Sequence, residues 1–596
     1  MSASTAAKQN QQPIRVLIVQ LARLGDTLQS LMALKAAKQL YPQMEIHFLV
    51  RDSFAAAAKR VPWIENVIVL PVDDILKPLL KGKKTQNESL IELVDWVGPV
   101  VDEHWDLLVN WTFSDASSYL TALIPATVKL GYTRAADGEF ECADGWSHYM
   151  QAVVQGEVDQ NIHMTDILTT QLLTALQIHV GDPADVGELP VNSKGFFSIR
   201  SIQHPFLKMW RESTRKWVGF QIGAAKSGKS WSPQNWAKLA DYVLSRHPDW
   251  SVVLLGSAED LGREREFMQA VGEKASDPAR FQSLVGKSDF DLWSAVVSRC
   301  HWVVAADTAV LHLASVLGTR VLNVSTDSNK WSETGPYGNG HFVITPAPGE
   351  SIDPSLAYGV WSHAVEEAVH LTDKTLLEHF EDLGWRNDLL KSRVYKSRIR
   401  PTGDGGGVVY EPLLKTMMQL QDWSAHVMGQ IARAWFCGWM APVGHELARD
   451  LIGPELIQQL RQLEDSGGVL QRICDEAVKS AEELNLASTR LRSSRLMALE
   501  DKQQLDRLGR KILELDHLID RMGKAQAPYR GFAQMAKVMM HNLSGKNLID
   551  ISKETASCYS NLREGVKIYR EWLTHTLKLA RPMVVKQGSS VIPLTN

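Results

Sequence analysis

The strongest constraint on the fold of this chain is an alternation of apolar, strand-like runs with helical segments, which begins at residue 14 and begins again at residue 216. The first series contains four apolar runs, at residues 14–20, 45–50, 67–70 and 105–111. The second series contains four more, at residues 216–223, 250–256, 301–307 and 320–325. This succession predicts two doubly wound α/β domains, each with a parallel sheet covered by helices on both faces, and a cleft between the two domains.

The pattern changes after residue 400. A glycine-rich stretch at 401–409 is followed by helical periodicity as far as the last residues. We therefore predict a C-terminal all-α domain joined by a linker. The predicted organisation is a polar tail, an N-terminal Rossmann-like domain, a C-terminal Rossmann-like domain, a linker and a helical extension, at residues 1–13, 14–205, 206–400, 401–409 and 410–596.

A heptad-like seam runs through the helical extension. Its apolar residues are separated alternately by three and four positions: Leu505, Leu508, Ile512, Leu515, Ile519 and Met522. One interpretation is an amphipathic helix that packs inside its own bundle. The other is self-association through a coiled coil within residues 468–525. Both interpretations stay open from the sequence alone.

Composition excludes several classes of protein. Among 596 residues, 64 basic and 68 acidic side chains give a net charge of −4, which argues against a nucleic-acid binder. The five cysteines are far apart and form no CxxC pair, so structural zinc and a disulfide framework are not expected. Without a signal sequence or about 20 consecutive apolar residues, we expect a cytoplasmic protein, at most peripheral on the inner face of the cytoplasmic membrane.

The first candidate site is the string Leu24-Gly25-Asp26-Thr27, which follows the first strand and opens the first helix. Gly25 allows the backbone to approach a ligand closely. Asp26 fits a general base that takes a proton from an acceptor hydroxyl. A carboxylate at a helix start is also a common cap, and that purely structural interpretation stays open.

The second candidate is the loop of residues 223–233, between a strand and a helix. Its small residues and two lysines, Lys226 and Lys229, favour a diphosphate cradle. The string GAAKSGKS also matches a P-loop formally, but Ser232-Pro233 places the helix start later than the lysine at which a P-loop helix begins.

The third candidate joins the strand at 301–307 to the following helix. Asp307 and Thr308 would cap that helix and expose its N–H groups, and His312 follows within a turn and a half. A nucleotide-sugar clamp and an ordinary cap with a buried histidine both fit this pattern.

Four segments stand in the order and spacing found in the family-9 glycosyltransferases, which the chain resembles over about residues 14–375: VLIVQLARLGDTLQSLMAL, the KSWSP loop, LLGSAEDLG and ADTAVLHLASVLGTRVL. That family includes the ADP-heptose:lipopolysaccharide heptosyltransferases. The resemblance implies the GT-B fold and an inverting transfer of a heptose-like sugar from an ADP-sugar to a hydroxyl of the lipopolysaccharide core or a related surface glycan. The extension at 410–596 has no counterpart in the short members of the family.

The resemblance also implies roles for single residues. Asp26 resembles the base, and Lys229 resembles the residue that contacts the donor diphosphate. Glu259 or Asp260 resembles the ribose contact. Together with the local patterns this gives a donor site of Gly25, Lys229, Glu259, Asp260, Asp307, Thr308 and His312. The family implies no metal and no cofactor besides the ADP-sugar donor.

Two further patterns have a plain and a functional interpretation. Asp289-Phe290-Asp291 is similar to a DxD metal motif, but its position at a helix start predicts a helix cap instead. The basic residues at 77–84 predict a solvated loop of the acceptor domain. Contact with an anionic acceptor or a membrane surface is the alternative.

Three functions remain in competition. The first is the lipopolysaccharide glycosyltransferase, and the second is a transferase of the same fold that modifies a protein, with the helical extension as its recognition module. The third is a degenerate, non-catalytic scaffold. Four candidate site residues argue against the third function: Asp26, Lys229, Asp307 and His312. The first two functions stay open.

Overall fold

We describe a computed structural model of the chain. It describes residues 13–156, 160–180, 196–198, 203–223, 231–272, 277–325, 330–346, 350–366, 373–385, 393–400, 407–413, 420–437, 454–492 and 499–587. The chain divides into two compact units. The first unit is Met1–Leu130 with His163–Leu414, and the second is Gly131–Ile162 with Lys415–Asn596.

The N-terminal half of the first unit is built on parallel strands in the order β3-β2-β1-β4. Its strands are β1 (Ile14–Gln20), β2 (Met44–Arg51), β3 (Asn66–Leu70), β4 (Trp105–Asn110) and β5 (Ala126–Arg134), along which the chain enters the second unit. Its helices are α1 (Leu24–Leu40), α2 (Ala55–Ala58), α3 (Val72–Leu80), α4 (Gln86–Val101), α5 (Asp115–Leu123) and α7 (Met164–Val180). The run IRVLIVQ becomes the central strand because parallel strands covered on both faces require continuous apolar residues.

The C-terminal half of the first unit is an eight-stranded sheet in the order β14-β13-β12-β11-β10-β7-β8-β9. Its strands are β7 (Lys216–Gln221), β8 (Trp250–Leu255), β9 (Phe281–Ser283), β10 (Trp302–Ala305), β11 (Arg320–Val324), β12 (Phe342–Thr345), β13 (Arg393–Ile399) and β14 (Val408–Pro412). Its helices are α8 (Pro205–Glu212), α9 (Pro233–Arg246), α10 (Leu261–Val271), α11 (Phe290–Val297), α12 (Ala309–Leu317), α13 (Trp331–Thr334), α14 (Pro354–Glu366) and α15 (Asp373–Asp382).

The two halves confirm the predicted fold class of two doubly wound, Rossmann-like sheets. In each sheet the strand order reverses beside the first strand, between β1 and β4 and between β7 and β10. Ligands of such sheets bind outside the carboxyl ends of the strands at this reversal. The loops that follow β1, β7 and β10 are therefore the ones to search for a site.

The glycine-rich stretch differs from the predicted linker. Val408 and Val409 belong to β14, which pairs antiparallel with β13 at the sheet edge through Ile399 and Val408. The Arg400 N–H donates to the Gly407 carbonyl. The apolar valines are buried against the sheet, so the glycines join two strands of one sheet rather than two domains. Residues 401–406 lie outside the described part.

The second unit consists of helices with one short strand. Its elements are β6 (Phe140–Cys142), α6 (Gly145–Gly156), α16 (Leu420–Cys437), α17 (Pro454–Arg492), α18 (Leu499–Ala525), α19 (Arg530–His541) and α20 (Leu548–Gln587). The long helices α17 and α20 pack against each other, and α18 packs along α17. One apolar core joins these helices around Trp423, Tyr529 and Trp572. This helical part confirms the all-α character predicted for the C-terminal residues.

The heptad-like seam lies inside this core. Leu508, Ile512 and Ile519 of α18 are buried within the same chain. The interpretation as an amphipathic helix inside its own bundle is therefore confirmed, and these side chains are not available for a coiled coil with a second copy.

Residues 131–162 were predicted to belong to the N-terminal domain, but they lie in the second unit. Helix α6 packs against α19, and the Cys142 N–H donates to the side-chain oxygen of Asn542 at 3.0 Å. The large apolar side chains of α6, such as Trp146 and Met150, are buried there. The second unit thus combines a segment of the predicted acceptor domain with the helical extension.

Among the described residues, no helix is both long enough and apolar enough to cross a membrane.

Candidate active site

The loop between β1 and α1 is held in place by buried polar side chains at the strand-order reversal. The Leu21 N–H donates to Thr112 Oγ1 at 2.7 Å, and the Ala22 N–H donates to Gln20 Oε1 at 3.1 Å. Gln20 Nε2 in turn donates to Ser30 Oγ of α1 at 3.0 Å. The backbone that leads to Gly25 and Asp26 is therefore fixed before any ligand binds.

Asp26 lies in the first turn of α1 and is partly buried. Its carboxylate accepts a hydrogen bond from the Arg23 N–H at 3.0 Å, so Asp26 is the third helical residue of a capping box, and Arg23 rather than Asp26 is the N-cap residue. Burial raises the pKa of Asp26, the negative charge of Asp307 raises it further, and the contacts with Arg23 oppose this shift. A raised pKa brings a carboxylate closer to the range in which it is an effective proton acceptor.

Gly25 lies where helices α1 and α12 approach each other. A Cβ atom on Gly25 would lie 3.0 Å from Cδ2 of His312, which is shorter than most contacts that Cβ atoms make in proteins. The glycine thus allows close helix packing and brings the Asp26 turn next to α12. Its predicted contact with the donor stays a prediction.

His312 is buried on α12. Burial lowers its pKa to about 4, despite the opposing influence of Asp307, so the imidazole is neutral at physiological pH. Within the described residues its Nδ1 atom has no hydrogen-bond partner. A neutral imidazole at this position offers one ring nitrogen as a donor and the other as an acceptor.

Helix α12 begins at the carboxyl end of β10. Thr308 is its N-cap residue in an extended conformation, and in the described part its hydroxyl makes no capping hydrogen bond to the helix. The first N–H groups of a helix lack partners within the helix and favour negative charge. The start of α12 therefore has the polarity needed to bind a phosphate.

A cleft of ≈ 400 Å³ lies between the two halves of the first unit, directly over this helix start. Its walls are the ends of β7 and β8, the first turns of α1, α11 and α12, and helix α2. The lining residues are Leu24, Ser53, Phe54, Ala56, Ala57, Gln221, Gly256, Ser257, Ser288, Asp289, Phe290, Trp293, Thr308, Ala309 and Val310. The structure thus brings together the loops that follow β1 and β10 and the end of β7, as expected from the strand order, and it adds the loop that follows β8.

The two carboxylates predicted to contact ribose have different environments. Asp260 is buried, and its carboxylate accepts hydrogen bonds from both the N–H and the hydroxyl of Ser257. A Cβ atom on Gly223 would overlap this carboxylate, so Asp260 occupies the space beside the Gly223 backbone. Glu259 is exposed. Their contact with a ribose stays a prediction, and Glu259 is the one whose carboxylate faces solvent.

Lys229 and Lys226 lie outside the described residues. The flanks of their loop are described, and α9 begins at Pro233 with the Ser232 hydroxyl accepting the Asn235 N–H at 3.1 Å. The predicted helix start is therefore confirmed. It lies later in the chain than the start of a P-loop helix would.

The Asp289-Phe290-Asp291 motif is a helix cap, as predicted. The Asp289 carboxylate accepts the Leu292 N–H at 2.9 Å and begins α11. Asp291 forms a bidentate ion pair with Arg60, at 2.5 and 2.6 Å.

No motif in the sequence indicates the residues on the opposite wall of the cleft, or the buried His163. Phe54, Ala56 and Ala57 line the cleft from the N-terminal half, and the run of alanines was the signal for a close approach. His163 is buried, and its pKa is lowered by burial, with Asp307 acting in the opposite direction. Its Nε2 lies 2.9 Å from the Gly335 carbonyl, a contact across 172 residues that no local pattern indicates.

Comparison with known proteins agrees with the resemblance. The family model of glycosyltransferase family 9 (heptosyltransferase) matches residues 101–351. The chain is 22% identical over 335 residues to the lipopolysaccharide core heptosyltransferase OpsX of Haemophilus influenzae, covering 56% of this chain and 84% of that protein. It is 25% identical over 330 residues to lipopolysaccharide heptosyltransferase 1 of Pseudomonas aeruginosa, covering 54% and 82%. Among solved structures, E. coli heptosyltransferase WaaC with ADP is 19% identical, with 60% of this chain and 100% of that chain covered at a TM-score of 0.44.

Proposed function

We propose that the chain is a glycosyltransferase that transfers a heptose-like sugar from an ADP-sugar to a surface glycan, because its residues 101–351 match the model of glycosyltransferase family 9 and its relatives are heptosyltransferases. The acceptor is a hydroxyl of the lipopolysaccharide core or a related glycan, and the anomeric carbon is inverted. The observation that carries this proposal is the cleft that places the Asp26 turn of α1 beside the start of α12. The names of the relatives support the choice of sugar and acceptor.

The proposed reaction begins at the acceptor. The Asp26 carboxylate takes the proton of the acceptor hydroxyl, and the oxygen attacks the anomeric carbon from the face opposite the diphosphate. The bond between the anomeric carbon and the diphosphate oxygen breaks, and its electron pair stays on that oxygen. Burial supports this role because it raises the pKa of Asp26 towards the range of a general base.

The leaving diphosphate needs stabilisation as its charge grows. The start of α12 supplies oriented N–H groups, and we propose that Lys229 adds a positive charge. The Asp307 carboxylate accepts hydroxyl groups of the donor sugar, and the neutral imidazole of His312 adds a hydrogen bond without adding charge. No metal ion or cofactor is proposed, and Asp289 and Asp291 are already engaged in a cap and an ion pair.

The first test concerns the positive charge that Lys229 is proposed to supply to the leaving diphosphate. Lys229→Ala should lower kcat by about 10²–10³-fold, the loss typical of removing one donor to a developing oxyanion. Lys226→Ala is the matched control in the same loop and should change kcat much less. The assay follows ADP release from ADP-heptose with core lipopolysaccharide, with and without EDTA. Equal effects of the two substitutions, or a loss in EDTA that Mg²⁺ restores, would contradict this assignment.

The acceptor class is tested in the same assay. Core lipopolysaccharide oligosaccharide and the same material attached to lipid A should both accept the sugar, and a mass increase of one heptose should appear on the glycan. Surface proteins from the same cell envelope are the comparison. Transfer to protein with none to the oligosaccharide would replace the glycan acceptor by a protein acceptor. Absence of ADP release with every acceptor would contradict the proposed donor.

We further propose that the N-terminal half meets a membrane surface through α3 and α4. Leu80 of α3 is 84% exposed, and Leu90, Ile91 and Val94 on α4 are also largely exposed. The basic residues that were predicted to form a loop lie on α3 and just after it. One is on the helix and three follow it: Lys77, Lys81, Lys83 and Lys84. Two of these lysines pair with carboxylates, Lys77 with Asp73 and Lys84 with Glu92.

If α3 and α4 meet a membrane surface, the protein should sediment with vesicles of phosphatidylethanolamine and phosphatidylglycerol. Leu80→Glu combined with Ile91→Glu should weaken that binding by at least about tenfold, since burying one such side chain contributes about 1.5–3 kcal/mol. Leu513→Glu is the matched control, because this leucine is 60% exposed but lies on α18. If the double variant and the control bind vesicles equally, the α3–α4 surface is not the membrane contact.

A further inference from the structure

An ion pair joins the two halves of the first unit at the rim of the cleft. Both nitrogens of one edge of the Arg60 guanidinium face the two oxygens of the Asp291 carboxylate, at 2.5 and 2.6 Å. Both side chains are mostly buried, with 22% and 16% of their surface exposed. Bidentate pairing of this kind fixes the relative orientation of the guanidinium and the carboxylate as well as the distance between them.

The pair connects opposite walls of the cleft. Arg60 lies two residues after the end of α2, whose residues Ala56 and Ala57 line one wall. Asp291 lies in the first turn of α11, between Phe290 and Trp293, which line the other wall. The ion pair therefore sets the distance between two surfaces that a ligand in the cleft would touch.

Asp291 is not needed to begin its own helix. That role belongs to Asp289, whose carboxylate accepts the Leu292 N–H. The two carboxylates act together on Arg60, since both Asp291 and Asp289 raise the pKa of its guanidinium. The guanidinium therefore stays charged, and Asp291 holds it through the bidentate ion pair.

A second contact lies beside the pair. The Arg60 carbonyl accepts the Ser198 N–H at 2.7 Å, and the neighbouring Phe197 ring meets the Phe290 ring edge-on at 5.6 Å between centroids. A backbone hydrogen bond thus holds Arg60 in position, and an aromatic contact joins the same segment to Phe290, the chain neighbour of Asp291.

From this geometry we propose that Arg60 and Asp291 are positioning residues that hold the two walls of the cleft at the spacing that binds the donor. Neither touches the reacting atoms. Their effect is to keep the α2 wall and the α11 wall at the spacing the donor requires. The inference rests on the proposed use of this cleft for a nucleotide sugar.

The test is a double-mutant cycle on the full chain with Arg60→Gln, Asp291→Asn and the combination. Each single variant should raise the donor KM by about five- to tenfold, with kcat changed less than about twofold, because only a fraction of the molecules then holds the cleft walls at the spacing that binds the donor. The double variant should be no worse than either single variant, since both substitutions break the same contact. Lys38→Gln is the control: it breaks a comparably buried ion pair with Glu65 inside the N-terminal half and should leave KM unchanged.

A second measurement needs no substrate. Hydrogen exchange followed by mass spectrometry should show amide exchange rates about fivefold faster at residues 53–60 and 288–297 in all three cleft variants, and unchanged rates there in Lys38→Gln. Additive effects of the two substitutions, or equal exchange in variants and wild type, would overturn the proposal. Faster exchange without any ADP-heptose turnover in the wild type would support the positioning role and contradict the proposed donor instead.

Discussion

Replacing Asp26 with asparagine is expected to lower kcat by about 10²–10⁴-fold, the range typical of losing a general base. Asparagine has nearly the same shape and can still accept the hydrogen bond from the Arg23 N–H, so the turn at the start of α1 should keep its geometry. Binding of ADP, measured by calorimetry, should therefore stay close to that of the wild type. Loss of turnover with intact nucleotide binding separates a proton acceptor from a residue that only shapes the cleft.

The pKa of Asp26 gives this prediction a second readout. Burial raises the pKa in the folded protein, which means that folding disfavours the ionised carboxylate. Ionised Asp26 therefore costs stability at pH values above its unfolded pKa, and that cost disappears as the pH falls below it. Asp26→Asn should have an unchanged or higher melting temperature at neutral pH. In the wild type, kcat/KM should fall on the acid side as Asp26 becomes protonated, at a pH above the ordinary aspartate range.

Glu88→Gln is the matched control for Asp26→Asn. Glu88 occupies the same position in the first turn of α4, where its carboxylate accepts the Thr85 N–H at 2.7 Å, but it is exposed on a helix away from the cleft. Contacts with Thr85 lower its pKa, the opposite of the shift at Asp26. This variant should keep the wild-type kcat. If Asp26→Asn retains near wild-type turnover, Asp26 is a helix cap and not the base.

The sequence predicts the parts of this molecule that depend on neighbouring residues. The continuous apolar run at residues 14–20 predicts a buried strand of a parallel sheet without knowledge of its partner strands. Ser232-Pro233 begins a helix through a hydrogen bond between residues three positions apart. The same holds for the cap at Asp289 and for the helical period of α18, although that period left open whether its apolar seam packs inside its own bundle or against a second copy. In these cases the period or spacing of the residues is sufficient to predict the strand, the helix or the cap.

The parts that could not be predicted depend on residues far apart in the chain. Arg60 and Asp291 are separated by 231 positions, and nothing local to either residue indicates the partner. The cleft wall formed by α2 was visible in the sequence only as a run of alanines. The pairing of β13 with β14 made the glycine-rich stretch a connection within one sheet, because the valines after Gly407 find a partner strand. A single sequence contains the apolar residues of that strand but not the identity of the strand they pair with.

The assignment of residues 131–162 failed for the same reason. The segment lies between two helices of an apparently continuous α/β series, so its order in the chain favoured the N-terminal domain. Its apolar residues are instead covered by α16 and α19, which begin 264 and 374 residues after the end of α6. The second unit is consequently built from two separate stretches, and the helical extension is not an independent module attached at one point.

Deleting residues 415–596 is therefore expected to destabilise what remains rather than leave an intact transferase. The deletion removes α16 and α19 and uncovers the buried face of α6, including Trp146, Met150 and Val153. Each such side chain contributes about 1.5–3 kcal/mol when buried, against a total stability of about 5–15 kcal/mol for a typical domain. The shortened chain should be aggregated in size-exclusion chromatography, or should lose its cooperative thermal transition, even though both α/β sheets are retained.

Two controls decide how this result is interpreted. Deleting only residues 588–596, which follow the end of α20, should leave the elution volume and the melting temperature unchanged. The substitution Asn542→Ala keeps every helix and removes the contacts of this side chain with Cys142 and Gln151, so it should lower the melting temperature by a few degrees at most. A chain ending at Leu414 that elutes as a monomer, unfolds cooperatively near the wild-type temperature and binds ADP would contradict the two-stretch unit, because α6 would then be stable without the helices that cover it.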